Sequence, residues 1–424
     1  MTRLEESEPE LARRLAELAR DLNISAFRTR MDGDVSARDA FIIREGAKRR
    51  ALAEEWERLL TDARHVEGCE DLLLQPSYHR LAQAALSSTI VLLARRDASP
   101  RYLPLSAIPY SRVSGWVDRL RVTLKQANRG ARQAFDTQDR YSGPARQRKA
   151  QGEEATLIRL LGAIWRDVVQ PVLDYLKFTE VREDPPRITW CPTGALALLP
   201  IHAAGIYDGK LGPCAADYAV SSYTPTLSDL LTTSTSSAIG SPIKILLVGQ
   251  ADSPGHPSIP NVDVELKSVD AVIRSVAKMH CVQSSDATSL TVLAEMAKSH
   301  ITHLACHGIA SPTPLDSAIV LHDGILPVLR LMRTPLPDAK LVFLSACQTA
   351  RLSASEPDES INIASAMLSA GFQTAVATMW SISDRDAPRI AELFYRHLLQ
   401  DGSINFGGAA RALHAAVKVC QQSR

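Results

Sequence analysis

The chain has 424 residues, enough for one large catalytic domain with an extension or for about two or three ordinary domains. Its 48 basic and 47 acidic residues leave a formal net charge of +1, so no global field favours nucleic acid or an anionic membrane as a partner. The seven cysteines contain no CxxC pair, which argues against a zinc knuckle or a disulfide framework.

The N-terminal residues do not resemble a secretory signal. Met1 is followed by an acidic, amphipathic stretch rather than by a basic segment and an apolar run. Nowhere does an uninterrupted apolar run reach the ~18 residues that a membrane-spanning helix needs. We therefore expect a soluble, cytoplasmic protein that does not bind a membrane.

The first part of the chain is predicted to be mainly helical. From Leu4 to about Ala63, apolar residues recur at intervals of three and four, as amphipathic helices require. Similar patterns predict helices at Val113–Ala134 and Glu153–Lys177. The polar segment between them, Asp136–Gly152, contains adjacent Gly and Pro residues and several basic ones, and we interpret it as a mobile surface loop.

After Pro186, short runs rich in Ile, Val and Leu alternate with helical patterns, which predicts an α/β/α sandwich around a mostly parallel sheet. The candidate strands are Ile188–Cys191, Ala219–Tyr223, Ile243–Val248, His303–Cys306, Ala318–Leu321, Leu341–Ser345 and Ala375–Met379. The candidate helices are Val262–Met279, Ser289–Lys298, Ile361–Ala370, Pro388–Leu399 and Gly407–Val419.

A thiol and an imidazole follow two of these strands. One strand leads into His307 and Gly308, and the other into Ala346 and Cys347. Residues just beyond parallel strands can converge on one crevice at the carboxyl edge of the sheet. There an imidazole can accept the thiol proton and later protonate a leaving amine, while a glycine lets a backbone amide approach an oxyanion.

The residues alone also allow a structural interpretation. Free cysteines are often core residues, so Cys347 could be an inert thiol and His307 a histidine satisfied within a loop. Both interpretations remain open at this level.

Longer segments resemble the CHAT family of peptidases, relatives of caspases and separases. HLACHG at 303–308 and FLSACQTA at 343–350 are similar to the paired signature of that family. Further similarity lies in DSAIVLHDGIL at 316–326, ASAMLSAGFQTAVATMWSISDRDA at 364–387, ITWCPTGALALLPIHAAG at 188–205 and, more weakly, 74–120, so that it covers about residues 70–420.

This resemblance implies a caspase-like α/β/α sandwich preceded by a helical N-terminal region. We expect a helical extension at 1–69, the helical first part of the CHAT region at 70–186 and the catalytic core at 187–424. By the family pattern His307 would be the general base and Cys347 the nucleophile of a cysteine endopeptidase. The amides of Gly308 and Cys347 would form the oxyanion hole.

The segment that begins at Trp380 resembles a family segment that could supply an acidic residue to the substrate pocket. Asp384 is the first candidate and Asp386 the second, and either carboxylate would pair with Arg or Lys before the cleaved bond. The alternative is that Asp384 caps the helix predicted near Pro388.

Other ligands receive little support. His303, Cys306 and His307 suggest a metal cluster by composition, but alternate residues of a strand point to opposite faces, so we predict no metal. We expect His303 to lie in the core or to support the residues of the site. The loop Gly249–Gly255 lacks GxGxxG spacing and is interpreted as an ordinary connection.

We thus predict no cofactor and no nucleic-acid partner. The expected partners are a protein substrate and a regulatory protein or upstream repeat domain, in regulated proteolysis. The alternative is a catalytically silent interaction module with the same fold.

Overall fold

The computed structural model describes residues 7–15, 17–18, 51–52, 54–56, 58–66, 103, 105, 108–136, 144–207, 212–226, 243–253, 255–274, 276–309, 311, 314–346, 362–380, 382–400 and 403–422. The chain divides into two compact units, Met1–Leu81 and Ala82–Arg424. Among the described residues, no helix has the length and apolar character needed to cross a membrane.

The described residues of the first unit are mainly helical, at 9–15 and over most of 51–63. The side chains of Ala12, Leu15, Leu60 and Ala63 are buried against one another. Arg14 pairs with Glu55 at 2.6 Å between Nη2 and Oε1. The described residues of this unit thus make a small apolar contact with a partly exposed ion pair beside it, and such an exposed pair adds little to stability.

The first helices described in the second unit are α1 (Tyr110–Asp136), α2 (Pro144–Ile164) and α3 (Gln170–Leu176), with a π-helical turn at Trp165–Val169 between the last two. The surface loop predicted for Asp136–Gly152 is therefore wrong from Pro144 onward. Proline is well suited to the first helical position, and the Ala, Arg, Gln and Lys residues that follow are good helix formers.

Two short strands, β1 (Arg187–Trp190) and β2 (Val220–Tyr223), follow and pair in parallel. The short helix α4 (Ala215–Tyr218) lies in the sequence just before β2. Their apolar residues share a core with the three helices, in which Trp116, Ile164 and Ile188 are buried. This part packs on the C-terminal helix of the chain, since Lys418 lies 3.7 Å from Asp217.

The remaining strands are β3 (Ile243–Gly249), β4 (Ala277–Gln283), β5 (Ile301–Ala305), β6 (His307–Ile309), β7 (Ala318–Leu321), β8 (Gly324–Pro327), β9 (Leu341–Ser345), β10 (Thr374–Val376), β11 (Leu399–Gln400) and β12 (Ser403–Ile404). The remaining helices are α5 (Val262–Ile273), α6 (Ser289–Met296), α7 (Val328–Met332), α8 (Ile363–Ala370), α9 (Ala387–Leu398) and α10 (Ala409–Gln422).

Among the described residues, five strands form the central sheet in the order β10-β9-β5-β3-β4, with parallel pairing throughout. Alternate residues of each strand enter different cores: Leu246 and Leu344 pack with α6, α7 and α8 on one face, and Leu247 and Phe343 with α5, α9 and α10 on the other. Helices thus cover both faces, as a parallel sheet requires. The arrangement confirms the predicted α/β/α sandwich and is consistent with a caspase-like fold.

The predicted helix Val262–Met279 is wrong in its second half. The helix ends at Ile273, and Ala277–Gln283 forms the edge strand β4 instead. In β4, Ala277 and Met279 are partly buried while Lys278 and His280 are exposed, an alternation too short to separate from a helical pattern by sequence. Pairing with β3 decides the structure of this segment.

A row of three hydrogen-bonded side chains crosses the core on the α5–α9 face of β5. His303 is fully buried, and its Nε2 lies 3.1 Å from Oε1 of Glu265 on α5. Its Nδ1 lies 3.4 Å from the hydroxyl of Tyr395 on α9, and its ring stacks on Phe343 with centroids 4.9 Å apart. The prediction that His303 lies in the core is therefore confirmed. Its hydrogen bonds link α5 and α9 to the strand that leads to His307.

Replacing Glu265 tests how much the hydrogen bonds of His303 contribute to the stability of the fold. Glu265→Ala should lower the free energy of unfolding by about 2 to 4 kcal/mol, because the buried Nε2–H of His303 loses its acceptor. Glu265→Gln, which keeps an acceptor oxygen, should lose much less. Urea denaturation measures both, with Lys267→Ala on the exposed face of α5 as the matched control. Equal stability of Glu265→Ala and this control would contradict the assignment.

Candidate active site

The carboxyl ends of β5 and β9 lie at the same level of the central sheet. In the parallel register, Ala305 is the partner of Ser345. The next residues, Cys306 and Ala346, are both buried in the core on the α6–α8 side. The chain therefore leaves both strands at one sheet edge, where parallel α/β sheets commonly bind their ligands.

His307 begins β6 at this edge and is half-buried. Its Nε2 lies 2.6 Å from the carbonyl oxygen of Pro257. A carbonyl oxygen can only accept a hydrogen bond, so Nε2 must carry the proton. In the neutral imidazole, Nδ1 is then the unprotonated nitrogen and can act as a base.

A second imidazole lies against the first. The ring of His256 is 5.1 Å from that of His307, with 31° between the planes. Burial lowers the pKa of His307, the Pro257 carbonyl acts in the opposite direction, and the charge of a protonated His256 lowers the pKa further. The balance favours a neutral His307, the state a general base needs.

The loop 250–261, which connects β3 to α5, carries both of these neighbours. The sequence analysis predicted an ordinary connection at Gly249–Gly255 and assigned no role to His256 and Pro257, which follow it. Their place at the site depends on β3 lying next to β5 in the sheet, and a sequence does not reveal strand order. The available signal was only that the loop leaves the carboxyl end of a buried strand.

Of the two residues assigned to the oxyanion hole, Gly308 is among the described residues and Cys347 is not. Gly308 lies in β6, where its register partner is Ile319 of β7. Cys347, the predicted nucleophile, lies outside the described residues, which stop at Ala346 on this side. The carbonyl of Ala346 accepts a hydrogen bond of 2.8 Å from Oγ1 of Thr378, in the connection that leaves β10.

The predicted pocket residues lie in that same connection, between β10 and α9. Trp380 is partly buried there. Asp384 accepts two hydrogen bonds through Oδ2, at 2.5 Å from Nδ2 and 3.3 Å from the backbone nitrogen of Asn261. Asp386 takes the N-cap position of α9 without a side-chain capping bond. The alternative that Asp384 caps this helix is therefore wrong, since its bonds go to the start of α5.

Within the parts of the chain that the structure describes, no three His, Cys, Asp or Glu side chains are grouped as a metal site would require. His303 and Cys306 lie in different cores on opposite faces of the sheet. The geometry of His307 with a backbone carbonyl fits acid–base chemistry.

Comparison with known families finds a match, which covers more than half of the chain. The model of the CHAT domain family matches residues 159–424, which include β1, the whole central sheet and His307. No curated protein sequence matches the chain.

The contact between the two imidazoles is testable by titration. Replacing His256 with Ala should raise the pKa of His307, because the variant exposes the ring to water and removes a neighbouring positive charge. Two-dimensional NMR of histidine ring nitrogens measures this pKa directly. His256→Phe, which keeps the packing and removes only the charge, should give a smaller rise. An unchanged or lower pKa in His256→Ala would contradict the account.

Proposed function

This chain belongs to the CHAT domain family, which is related to the caspase-like cysteine peptidases, and from this membership we propose that it is a cysteine endopeptidase. The observation that carries the proposal is the hydrogen bond from Nε2 of His307 to the Pro257 carbonyl. It leaves Nδ1 as the base. Cys347 would be the nucleophile, since it follows Ala346 in the chain as His307 follows Cys306.

The proposed reaction begins with transfer of the Cys347 thiol proton to Nδ1 of His307. The thiolate then attacks the scissile carbonyl carbon, and the oxyanion of the tetrahedral intermediate accepts hydrogen bonds from the amides of Gly308 and Cys347. Collapse breaks the C–N bond, and the imidazolium gives its proton to the leaving amine. An acyl-enzyme thioester remains.

Deacylation uses the same groups in a second cycle. His307 accepts a proton from a water molecule as its oxygen attacks the thioester. The second intermediate expels the Cys347 thiolate, which regains its proton from the imidazolium, and the new carboxyl product leaves. Proton transfer by a positioned imidazole contributes typically ~10²–10⁴-fold to such a reaction.

The proposed substrates are proteins cleaved after Arg or Lys, in regulated proteolysis. Asp384, Asp386 and Trp380 follow β10, the neighbour of β9 in the sheet. Asp384 is the first candidate for the substrate cation: both bonds from Asn261 use Oδ2, and Oδ1 would meet the guanidinium. Asp386 is the second candidate. A regulatory protein or an upstream repeat domain would control access.

Substitution of either member of the dyad should abolish cleavage. We expect Cys347→Ala and His307→Ala each to reduce kcat/KM by at least ~10³-fold on a fluorogenic peptide with Arg before the cleaved bond, because thiolate formation and leaving-group protonation are lost. The matched controls are Cys281→Ala and His322→Ala, whose side chains are exposed. Activity of Cys347→Ala equal to wild type would contradict the peptidase proposal and favour an interaction module.

The preference for basic residues has its own test. Asp384→Ala should lower kcat/KM for an Arg peptide by ~10²-fold relative to an otherwise identical peptide with Ala, because it removes one partner of a desolvated ion pair. Using the ratio of the two peptides cancels any general loss of activity. Asp386→Ala is the matched comparison, since it removes a carboxylate two positions along. A wild-type preference for acidic residues, or an unchanged ratio in both variants, would contradict this pocket.

A further inference from the structure

Backbone hydrogen bonds attach the start of the loop 250–261 to β5 and to the later part of the loop. The backbone nitrogen of Gln250 donates to Ala305 of β5 at 2.9 Å. The nitrogen of Ile259 donates to Ala251, also at 2.9 Å, so the two ends of the loop lie close together. The first end is therefore fixed to the same strand that leads to His307.

The middle of the loop has little burial to hold it. Gly255, Pro257 and Ser258 are exposed, and His256 is only partly buried. Yet the Pro257 carbonyl must lie within hydrogen-bond distance of His307 to keep the proton on Nε2. The segment is fixed by the contact of His256 with His307, by a bond of 3.1 Å from the backbone nitrogen of His256 to the Ser253 carbonyl and by the packing of Ile259 on the core. Because its tip is exposed, its position also depends on how the two ends are held.

The second end is held by Asn261. This residue occupies the N-cap position of α5, where an Asn side chain usually accepts a bond from the first turn of the helix. Here it makes no capping bond, and its Nδ2 donates instead to Oδ2 of Asp384 at 2.5 Å. The backbone nitrogen of Asn261 donates to the same oxygen at 3.3 Å.

This double contact is stronger than an ordinary surface hydrogen bond. Both donors meet a carboxylate, and a hydrogen bond to a charged group is roughly twice as strong as a neutral one. The carboxylate also lies at the N-terminal end of a 12-residue helix, where the helix dipole favours negative charge. Because Asp384 follows β10, the contact attaches the loop to the opposite side of the site.

We propose that Asn261 is a positioning residue for His307, acting through its contact with Asp384 to hold the Pro257 carbonyl against Nε2. The proposal rests on the peptidase function only in taking His307 as the base. Without the contact, the exposed loop moves away and Nε2–H of His307 loses its acceptor. Misplacement by about 1 Å can cost on the order of 10²-fold in rate.

The test compares three variants with wild type. Asn261→Ala removes the side-chain donor, and Asn261→Asp sets two carboxylates against each other. The double variant Asn261→Asp/Asp384→Asn restores the side-chain bond with the partners exchanged, since the new amide at 384 donates to the new carboxylate at 261. Val264→Ala, an exposed position in the first turn of α5, is the matched control.

The first measurement needs no turnover. A hydrogen-bonded Nε2–H of His307 exchanges slowly with water and gives an observable proton resonance in NMR. This resonance should be present in wild type and Val264→Ala, lost in both single variants and restored in the double variant. Persistence of the resonance in Asn261→Ala and Asn261→Asp would overturn the proposal.

The second measurement separates positioning from substrate binding. In Asn261→Ala, kcat for the Ala peptide, which does not use the Asp384 carboxylate, should fall by on the order of 10²-fold with little change in KM. The double variant should recover kcat for the Ala peptide. A fall confined to Arg peptides would mean that Asn261 serves the pocket and would overturn the positioning role. Absence of cleavage by wild type, with the NMR pattern as expected, would contradict the peptidase function alone.

Discussion

One hydrogen bond determines what the candidate site can do. Because the Pro257 carbonyl accepts from Nε2 of His307, the imidazole presents Nδ1 as its basic nitrogen. The opposite tautomer would present an N–H group and could not accept the thiol proton. Burial of the ring and its contact with His256 both lower the pKa of His307 and keep it neutral. The proposed chemistry depends on this carbonyl staying in place, and the rest of the fold can be understood as its support.

That support comes from both layers of helices. The apolar cores on the two faces of the sheet fix β3, β5 and β9 in register, so that their carboxyl ends meet at one edge. The buried chain from Glu265 through His303 to Tyr395 attaches two helices to β5, the strand that leads to His307. Burial and the charge of Glu265 raise the pKa of Tyr395, which therefore remains a neutral hydrogen-bond partner. Polar groups buried in this way are satisfied by one another and specify one arrangement of the elements.

The parts predicted well from sequence are those with strong local signals. Leu341–Leu344 is a continuous apolar run, and the predicted strand Leu341–Ser345 has these bounds in the structure. The edge strand β4 was not predicted because it follows directly after an amphipathic helix. Its alternation of Ala277 and Met279 with polar residues is too short to be distinguished from one more helical turn. The roles of His256, Pro257 and Asn261 were not predictable, because they depend on strand order and on a contact with Asp384 that spans 123 positions in the chain. The CHAT resemblance directed attention to His307 and Cys347, whereas the residues that hold His307 are visible only in the folded structure.

The central claim, that His307 accepts a proton from Cys347, is tested most directly by the pH dependence of thiol alkylation. Iodoacetamide labelling of Cys347, quantified by peptide mapping, should remain fast in wild type at pH values well below ~8.5, the pKa of an ordinary thiol. In His307→Ala the rate should fall at neutral pH and follow the titration of an ordinary thiol. The exposed Cys281 provides an internal control, because its labelling should be the same in both proteins. Identical pH profiles for Cys347 in wild type and His307→Ala would contradict the account.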